Sequence, residues 1–512
     1  MGEDLINREL SIPLHSQVRL IISNRIKSGE YPLGSRMPNE LELSRELRIS
    51  RPTIRRALDE LETVGMVERV RPKGTFVSRI MKKEWFENDD GFTPPSVKTS
   101  AAKKLQIAME EGLTDLFLLK AFDEYTTRSG WNIELVHWNN WYDAIENIVN
   151  KFVDKSMPDI FSVSNDAVGI LARMGIIRPL DEFIAPQKLE RIKARCARYG
   201  LNAYVHDGKL YGYPLFSETR LLIYRRDHFQ NAGIPDPEER PLTHDTFVEV
   251  GKMLSNPEQG LYAYAYSTSH EPQTLQDMMP WLIQRGGRMF RIDNGRVLPA
   301  TEEPEFIDAL HWYTGLALEE KICPPNMFDL SARDITSMLV KGQISMMIAH
   351  PAVYTWLLDS SAGGQQTYGL AAFPAGPANS FTFMGGMPLC ISSICENPQA
   401  AWDLIAFVCE PENLHPYLNR MGTLPPIELY DVEDILKKVP QSLHPAVRAL
   451  ETAVPHTYPV GYNQALDFIR TGYWQGSIPQ ILDLILRKKL TAENAAQFLS
   501  MSIRSFSKLG TL

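Results

Sequence analysis

The residues best able to bind a charged partner lie in one short stretch, SRPTIRRALDEL, at residues 50–61. At helical spacing its apolar residues form one stripe, which predicts a helix docked on a small core. Arg51 and Arg55 share one flank of that helix, and Arg56 points further out. Guanidinium groups on the first turn of an exposed helix can read guanine edges or grip phosphates in a DNA major groove. The alternative is a solvated basic face on a core helix, and the neighbouring sequence decides between the two.

The elements around this stretch predict a helix–turn–helix followed by a wing. A first helix is expected over residues 14–27, and a second over 40–47 with Asn39 as its cap. Ser50 is a good N-cap for the third helix, and Pro52 fits its first turn. After Gly65 the apolar spacing changes to period two and is interrupted by Pro72, Lys73 and Gly74, which predicts a hairpin with a basic tip.

The ordered motifs of this region resemble the GntR family of bacterial transcription regulators. They are PLHSQ, GEYPLGSRMPNE, SRPTIRRAL and KGTFV, and they occupy about 65 residues in order. The resemblance implies a winged helix–turn–helix that binds operator DNA. Two mild departures are Asn39, where Ser or Ala is usual, and Pro52 at a variable position. Carried over by position, the implied DNA contacts are Arg36, Ser50, Arg51, Thr53, Arg55, Arg56, Lys73 and Gly74.

The charge distribution agrees with a DNA-binding head on a different kind of body. The chain has 512 residues and a net charge of −9, yet residues 1–83 carry 16 basic against 11 acidic side chains. The head is therefore basic and the remainder acidic, so we expect only the head to meet a polyanion. The length predicts two to four domains.

Several classes of protein are disfavoured by the sequence. The N-terminus lacks the features of a secretory signal, and no apolar run is long enough to span a membrane. Five cysteines without a C-x-x-C pair predict buried free thiols rather than disulfides or a zinc site. No hydrolase, metalloprotease, P-loop or dinucleotide motif is found, so we expect no enzyme activity, cofactor or metal. The expected location is the cytoplasm.

Beyond the head we predict a linker at residues 80–103 and an α/β body at residues 104–510. The linker mixes charges with Gly91, Pro94 and Pro95, and the body alternates apolar strands with helices. Ordered stretches of the body, among them PDIFSVSNDAVGILARMGIIRPLDEFI and KLYGYPLFSETRLLIYRRDHFQNAGI, resemble extracellular solute-binding proteins of the maltose-binding type. The fold class implied for the whole chain is α/β multidomain: an N-terminal winged helix–turn–helix, at residues 11–79, and a two-lobed periplasmic-binding-protein-like domain of type II.

The same resemblance suggests ligand-binding residues. Asp166 and Glu218 occupy positions of polar residues that bind sugar hydroxyls in the maltose-binding relatives; a helix cap or a surface acid is the alternative reading of each. The motif M-x-x-x-G-x-W departs here, because His350 and Ala352 replace its glycine and tryptophan, which leaves Tyr354 or Trp356 as the stacking platform. Trp281 and Trp474 are further candidates on physical grounds, although a tryptophan is more often core. Gly385 and Gly386 would let the backbone approach a ligand, or simply form a loop.

Together these features predict a ligand-responsive transcription regulator. Its head would bind operator DNA as a homodimer, and its body would sense a small molecule, a sugar or oligosaccharide. A transport binding protein with a repurposed head is one rival. A constitutive DNA-binding protein with a degenerate cleft is the other, and His350 and Ala352 are the residues that suggest it.

Overall fold

The computed structural model describes most of the chain as two compact units, residues 1–100 and residues 101–512, which are treated separately below. The described residues are 18, 22, 31, 35–63, 67–70, 74–77, 103–110, 116–138, 144–165, 167–198, 204–269, 272–293, 296–325, 327–328, 330–360, 364–451, 454–455 and 478–507.

Over residues 35–63, 67–70 and 74–77 the first unit consists of two helices and a two-stranded hairpin. Its elements are α1 (Glu40–Glu46), α2 (Arg51–Thr63), β1 (Val67–Val70) and β2 (Gly74–Val77). Asn39 caps α1 by accepting hydrogen bonds from the N–H groups of Leu41 and Glu42, while Glu42 accepts one from the Asn39 N–H. This reciprocal capping box stabilises the start of a helix that is too short to persist alone.

Apolar side chains from all parts of this unit form one small core. Val18 and Ile22, both helical, are fully buried there with Leu43 of α1 and with the predicted stripe of α2. Val67 and Val77 pair across the hairpin and close the core from the other side. The predicted helix–turn–helix with a hairpin after it is confirmed for the described residues.

The second unit consists of two lobes, each built on its own sheet. Lobe one has the strand order β16-β15-β5-β3-β4, with β8 also paired to β15. β3, β4 and β5 run parallel, whereas β15 runs antiparallel to β5 and β8. The bounds are β3 (Lys104–Glu110), β4 (Asn132–Trp138), β5 (Ile160–Ser162), β8 (Tyr213–Thr219), β15 (Phe383–Ile391) and β16 (Val454–Pro455).

Lobe two has the strand order β10-β13-β9-β14. β10 and β13 are parallel, and β9 runs antiparallel to both β13 and β14. The bounds are β9 (Leu221–Arg225), β10 (Tyr262–Tyr264), β13 (Ile344–Ala349) and β14 (Tyr368–Ala371). Two small hairpins complete the strands: β6 (Val205–His206) with β7 (Lys209–Leu210), and β11 (Phe290–Asp293) with β12 (Arg296–Pro299).

Helices cover the faces of both sheets. In chain order they are α3 (Leu116–Ser129), α4 (Ala144–Val153), α5 (Val168–Arg173), α6 (Pro186–Arg198), α7 (Arg226–Asn231), α8 (His244–Leu254), α9 (Pro272–Ile283), α10 (Pro304–Leu318), α11 (Ala332–Val340), α12 (Pro351–Ser360), α13 (Gly364–Thr367), α14 (Pro398–Val408), α15 (Pro411–Met421), α16 (Val432–Leu436), α17 (His444–Ala449), α18 (Ile478–Leu486) and α19 (Ala492–Ser507). Two 3₁₀ turns lie at Pro257–Gln259 and Gln441–Leu443.

The chain passes between the lobes at two described places. A single residue, Arg220, joins β8 of lobe one to β9 of lobe two, and residues 372–382 return from β14 to β15. Residues 221–371 of lobe two thus lie between two parts of lobe one, and the C-terminal helices α18 and α19 also pack on lobe two, against α9, α10 and β12. All five cysteines are buried and free, as expected.

Candidate functional site

The exposed arginines of α2 are presented by a tight turn. Arg48 adopts a left-handed backbone with φ of 53°, which turns the chain between α1 and α2. The Ser50 carbonyl accepts the hydrogen bond of the Ile54 N–H at 3.1 Å, and its hydroxyl lies 2.7 Å from the hydroxyl of Thr53. The first turn of α2 therefore begins at Arg51. Arg51, Arg55 and Arg56 are all exposed to solvent.

Glu40 of α1 binds the flank of α2 that carries Arg51 and Arg55. Its Oε2 lies 2.7 Å from Arg55 Nη2, its Oε1 lies 3.0 Å from Arg55 Nε, and Arg51 Nη2 is 3.9 Å away. The hydrogen bond from Arg55 lowers the pKa of the Glu40 carboxyl. Arg55 is thus held by two parallel hydrogen bonds, whereas Arg51 is only near the carboxylate. The two predicted contact residues are therefore not equivalent.

The wing brings two further predicted residues together. Residues 35–37 pair with the edge of β2, where the Met37 N–H donates to the Thr75 carbonyl at 2.9 Å. The Arg36 side chain consequently lies over Gly74, and a β-carbon on Gly74 would be 3.1 Å from Arg36 Nε. Gly74 has φ of +117°, a conformation that side chains rarely adopt. Lys73 lies outside the described residues.

In the body, strand direction brings polar residues to one edge of each sheet. Parallel strands end at the same edge, and open α/β sheets bind ligands there. In lobe one this edge carries Asn165 after β5, Glu218 at the end of β8 and, because β15 is antiparallel, Gly385 near its start. In lobe two, His350 follows β13 directly. His350 and Glu218 are in contact, so the two edges face each other across one cleft.

Glu218 is a mostly buried carboxylate with contacts to both lobes. Its Oε2 lies 3.0 Å from His350 Nε2 and 3.9 Å from Arg220 Nη1. Burial raises the pKa of Glu218, but the positive charge of Arg220 and the hydrogen bond from His350 outweigh it and hold the pKa at about 2. Glu218 is therefore ionised at neutral pH and can accept hydrogen bonds from hydroxyl groups.

The orientation of His350 follows from its second hydrogen bond. The N–H of Ala352, in the first turn of α12, lies 2.9 Å from His350 Nδ1. Because a backbone N–H can only donate, Nδ1 accepts, and the ring proton lies on Nε2. Nε2–H then donates to Glu218, so His350 both caps α12 and occupies one carboxylate oxygen.

Arg220 anchors the passage between the lobes. Its Nε donates to Asp277 Oδ1 of α9 at 2.7 Å, and its Nη2 donates to Gln276. The Thr382 hydroxyl donates to the Arg220 carbonyl at 2.6 Å, and the Phe383 ring lies 4.8 Å from the guanidinium. The buried guanidinium depends above all on the Asp277 carboxylate, because an unpaired buried charge is strongly destabilising.

The remaining predicted ligand residues are placed less uniformly. Gly385 pairs with Glu218 across β8 and β15, and a β-carbon there would be 2.3 Å from Glu218 Oε1. Gly386 packs against the Phe216 carbonyl. Trp281 is fully buried among His244, Phe247 and Phe373. It therefore offers no face to a ligand entering from solvent. This corrects the prediction that Trp281 is a ligand-binding residue.

Tyr354 is also buried, with 3% of its surface exposed, whereas Trp356 two residues later is 52% exposed. The predicted stacking role of Tyr354 is therefore not supported by its position in the lobe-two core. Asp166 and Trp474 lie outside the described residues, and their roles stay predictions. Asn165, beside Asp166, is buried, and its Nδ2 has no hydrogen-bond partner within the described part of the chain.

Sequence reasoning missed Arg220 and Asp277 altogether and noted His350 only as a departure from a motif. A weak signal for Arg220 was present, because it is a charged residue between two apolar strands, LLIY and YPLF. Asp277 gave no signal.

In the described ranges no helix is long and apolar enough to cross a membrane. The same ranges hold no cluster of three or more His, Cys, Asp or Glu placed to bind a metal ion.

Comparisons with known families match both units. The family described as "Bacterial extracellular solute-binding protein" matches residues 120–441, and the family "Bacterial regulatory proteins, gntR family" matches residues 14–77. These families are a solute-binding and a regulatory one, neither of them enzymatic.

Individual relatives divide in the same way. A maltotriose-binding protein of Pyrococcus abyssi is 23% identical over 331 residues, which cover 64% of this chain and 66% of that protein. A histidine utilization repressor of Pseudomonas aeruginosa is 43% identical over 70 residues, covering 14% of this chain and 28% of the repressor. A solute-binding protein from Thermotoga lettingae, solved with α-D-tagatose, shares the fold with a TM-score of 0.65 at 20% identity, over 79% of this chain and all of that one.

Proposed function

Because the chain belongs to the bacterial extracellular solute-binding protein family over residues 120–441 and carries a gntR-family regulatory domain at residues 14–77, we propose that it is a ligand-responsive transcription regulator. The observation that carries the proposal is the union of these two units in one chain. Joining a DNA-binding head to a solute-binding body serves a function if binding of the solute changes the affinity for DNA. A transport protein has no use for the head, so this alternative is not favoured.

The proposed DNA contacts come from the first turn of α2 and from the wing. Arg51, Arg55 and Arg56, with Ser50 and Thr53, would enter the major groove. Arg36, Lys73 and Gly74 would meet the sugar–phosphate backbone or the minor groove beside it. The exposure of the three arginines of α2 and the contact of Arg36 with Gly74 support this arrangement.

The proposed effector is a sugar or another small polyhydroxylated molecule. Glu218 is an ionised, mostly buried carboxylate at the cleft edge, and a carboxylate can accept two directional hydrogen bonds from a diol. The buried amide of Asn165 supports a polar ligand, because a buried donor without a partner is costly. We place Asp166, Gly385, Gly386 and Trp474 in the same site. Several structures of similar fold hold sugars, among them one with maltotetraose.

Regulation would follow from closure of the lobes on the effector. The effector must bind the two conformations with different affinity, since equal affinity shifts neither population. We propose that two copies bind a pseudo-palindromic operator in the cytoplasm, and that residues 11–79, 80–103 and 104–510 are head, linker and body. Closure would then change how two heads are spaced or restrained.

The DNA-binding part is tested by electrophoretic mobility shift with the full chain and its own upstream region. Specific binding that weakens as salt rises is expected, because phosphate contacts release counterions. Arg51→Ala should lower the affinity about tenfold or more. Arg128→Ala, which removes an exposed arginine from the body, is the matched control. Equal binding of Arg51→Ala and wild type contradicts the proposal.

The effector part is tested by thermal-shift screening of the full chain against a panel of sugars. A binding sugar raises the unfolding temperature of the body, because it stabilises only the folded state. Glu218→Gln and Asp166→Ala should abolish the shift. Glu190→Gln, an exposed acid on α6, serves as the control. A shift of the same size in Glu218→Gln would remove that residue from the site.

A further inference from the structure

The first turns of α12 contact lobe one at a second place besides Glu218. Gly422 ends α15 of lobe one with a left-handed backbone, φ of +64°. A β-carbon on Gly422 would lie 2.7 Å from Ala352 Cα and 2.5 Å from Thr355 Oγ1. The backbone of Gly422 therefore rests directly on α12 of the other lobe, with no space for a side chain between them.

Residues 350–355 thus bind lobe one by two contacts of different kinds. The first is the hydrogen bond from His350 to Glu218, whose geometry is fixed by the Ala352 N–H. The second is the packing of Ala352 and Thr355 on Gly422. We call these two contacts together the interlobe clamp. Each contact includes one of the two residues, His350 and Ala352, at which the motif M-x-x-x-G-x-W departs in this chain.

The clamp leaves no room for a sugar ring on the first turn of α12. Carbon atoms in contact lie about 3.5–4 Å apart, so a ring held between two surfaces needs roughly 7–8 Å between them. A β-carbon on Gly422 would already overlap the Ala352 backbone, so the opposing surfaces are much closer than that. A ligand with several rings in a row cannot extend through this end of the cleft.

We propose that the interlobe clamp is the specificity determinant for ligand length, and that it limits the effector to fewer sugar rings than a cleft open at this end would hold. The inference rests on the proposed sugar-sensing function and deepens it. Ala352 and Gly422 act by what their close approach excludes, and specificity of this kind arises from a clash with the wrong ligand. His350 contributes by occupying one oxygen of Glu218, which leaves fewer acceptors for the ligand.

The clamp itself is tested without any sugar, by hydrogen–deuterium exchange of the full chain. Ala352→Trp places an indole where Gly422 rests, so exchange of the peptide containing Gly422 and Thr423 should accelerate several-fold. Asp359→Trp, an exposed position on the same helix, should leave that peptide unchanged. Thr355→Met is a smaller intrusion to be used if Ala352→Trp does not fold. Unchanged exchange in the folded variants overturns the clamp.

Ligand length is tested by isothermal titration calorimetry with maltose and maltotetraose. Wild type should bind maltose at least about tenfold more tightly than maltotetraose. Ala352→Trp should lessen or reverse this preference. A wild-type preference for maltotetraose overturns the length restriction. If the exchange result is as expected but the sugar panel, including both probes, gives no binding, the clamp stands as a contact and the sugar-sensing function is rejected.

Discussion

At the scale of single residues, the two arginines that flank α2 have different jobs. Arg55 is joined to Glu40 by two hydrogen bonds, whereas Arg51 lies 3.9 Å from that carboxylate. Arg51 can therefore turn toward DNA without breaking a bond within the head. If Arg55 contacts DNA as proposed, it must either break its hydrogen bonds to Glu40 or contact DNA while still bonded to Glu40.

This difference predicts different effects of two substitutions. Arg51→Ala should weaken operator binding and leave the head as stable as before. Arg55→Ala should weaken binding and also accelerate hydrogen exchange of α1, because the tie between α1 and α2 is lost. Fluorescence anisotropy with labelled operator and exchange of residues 40–47 measure the two properties. Equal exchange in both variants would show that the pair with Glu40 contributes nothing to the fold.

A buried acid, Glu428, predicts a pH dependence of stability. It is 1% exposed, and its nearest side-chain partner is the Ser217 hydroxyl at 3.4 Å. Burial raises its pKa to about 7, above the usual value, so the folded chain binds a proton more tightly than the unfolded chain. That contribution to stability is complete below the pKa of the unfolded chain. It is lost as the pH rises through the folded pKa.

The free energy of unfolding should therefore fall between about pH 5 and pH 8, and Glu428→Gln should remove most of this fall. Urea unfolding of the full chain, followed by tryptophan fluorescence at several pH values, provides the measurement. Glu190→Gln, an exposed acid, should behave as wild type. A pH profile of Glu428→Gln that parallels wild type would place the titrating group elsewhere.

At the scale of elements, α1 depends on its cap. Asn39 Oδ1 accepts two backbone hydrogen bonds, and Glu42 accepts one from the Asn39 N–H. Asn39→Ala should cost about 1 kcal/mol of local stability, a typical effect of losing an N-cap. Exchange of the α1 amides in the full chain should quicken accordingly, whereas Arg45→Gln on the exposed face should leave it unchanged. No change in Asn39→Ala would mean that packing alone holds α1.

The pairing of β8 with β15 predicts a second effect at this scale. Glu218 lies directly opposite Gly385, and a β-carbon there would be 2.3 Å from the carboxylate. Gly385→Ala should therefore displace Glu218 from His350 and abolish sugar-induced thermal shifts. Gly315→Ala, a helical glycine with room for a methyl group, is the control. Retention of the full shift in Gly385→Ala would exclude Glu218 from ligand binding.

The elements of the head could be predicted because their signals are local. Asn39, Ser50 and Gly74 act on neighbours within a few residues, and the apolar stripe of α2 is read directly from its spacing. The cleft could be predicted only in part. Arg220 and Asp277 are 57 residues apart in sequence, and the local sequence around either residue does not predict that they pair. Trp281 shows the same limit, because the sequence around a tryptophan does not distinguish a core site from a cleft wall.

At the scale of the whole molecule, the proposed regulator must obey reciprocity between its two kinds of site. If the sugar changes the affinity for operator DNA by some factor, the operator must change the affinity for the sugar by the same factor. Couplings between sites in one protein are typically about 1–3 kcal/mol, which corresponds to roughly 5–150-fold. Titrating sugar into the full chain with and without saturating operator measures how the operator changes the sugar affinity. Fluorescence anisotropy with and without sugar measures how the sugar changes the operator affinity. Unequal factors would mean that a further equilibrium, such as association of copies, takes part.

The position of residues 221–371 between two parts of lobe one constrains the order in which lobe one can be completed during synthesis. β15 pairs with β5, β8 and β16, yet it is made only after residues 221–371 of lobe two have been synthesised. Until then β5 and β8 lack a central neighbour, and unpaired strand edges invite aggregation. The head has its own core, which includes Val18, Ile22 and Leu43, and is synthesised long before. A nascent chain could therefore carry a folded head before the body proposed to control it is complete.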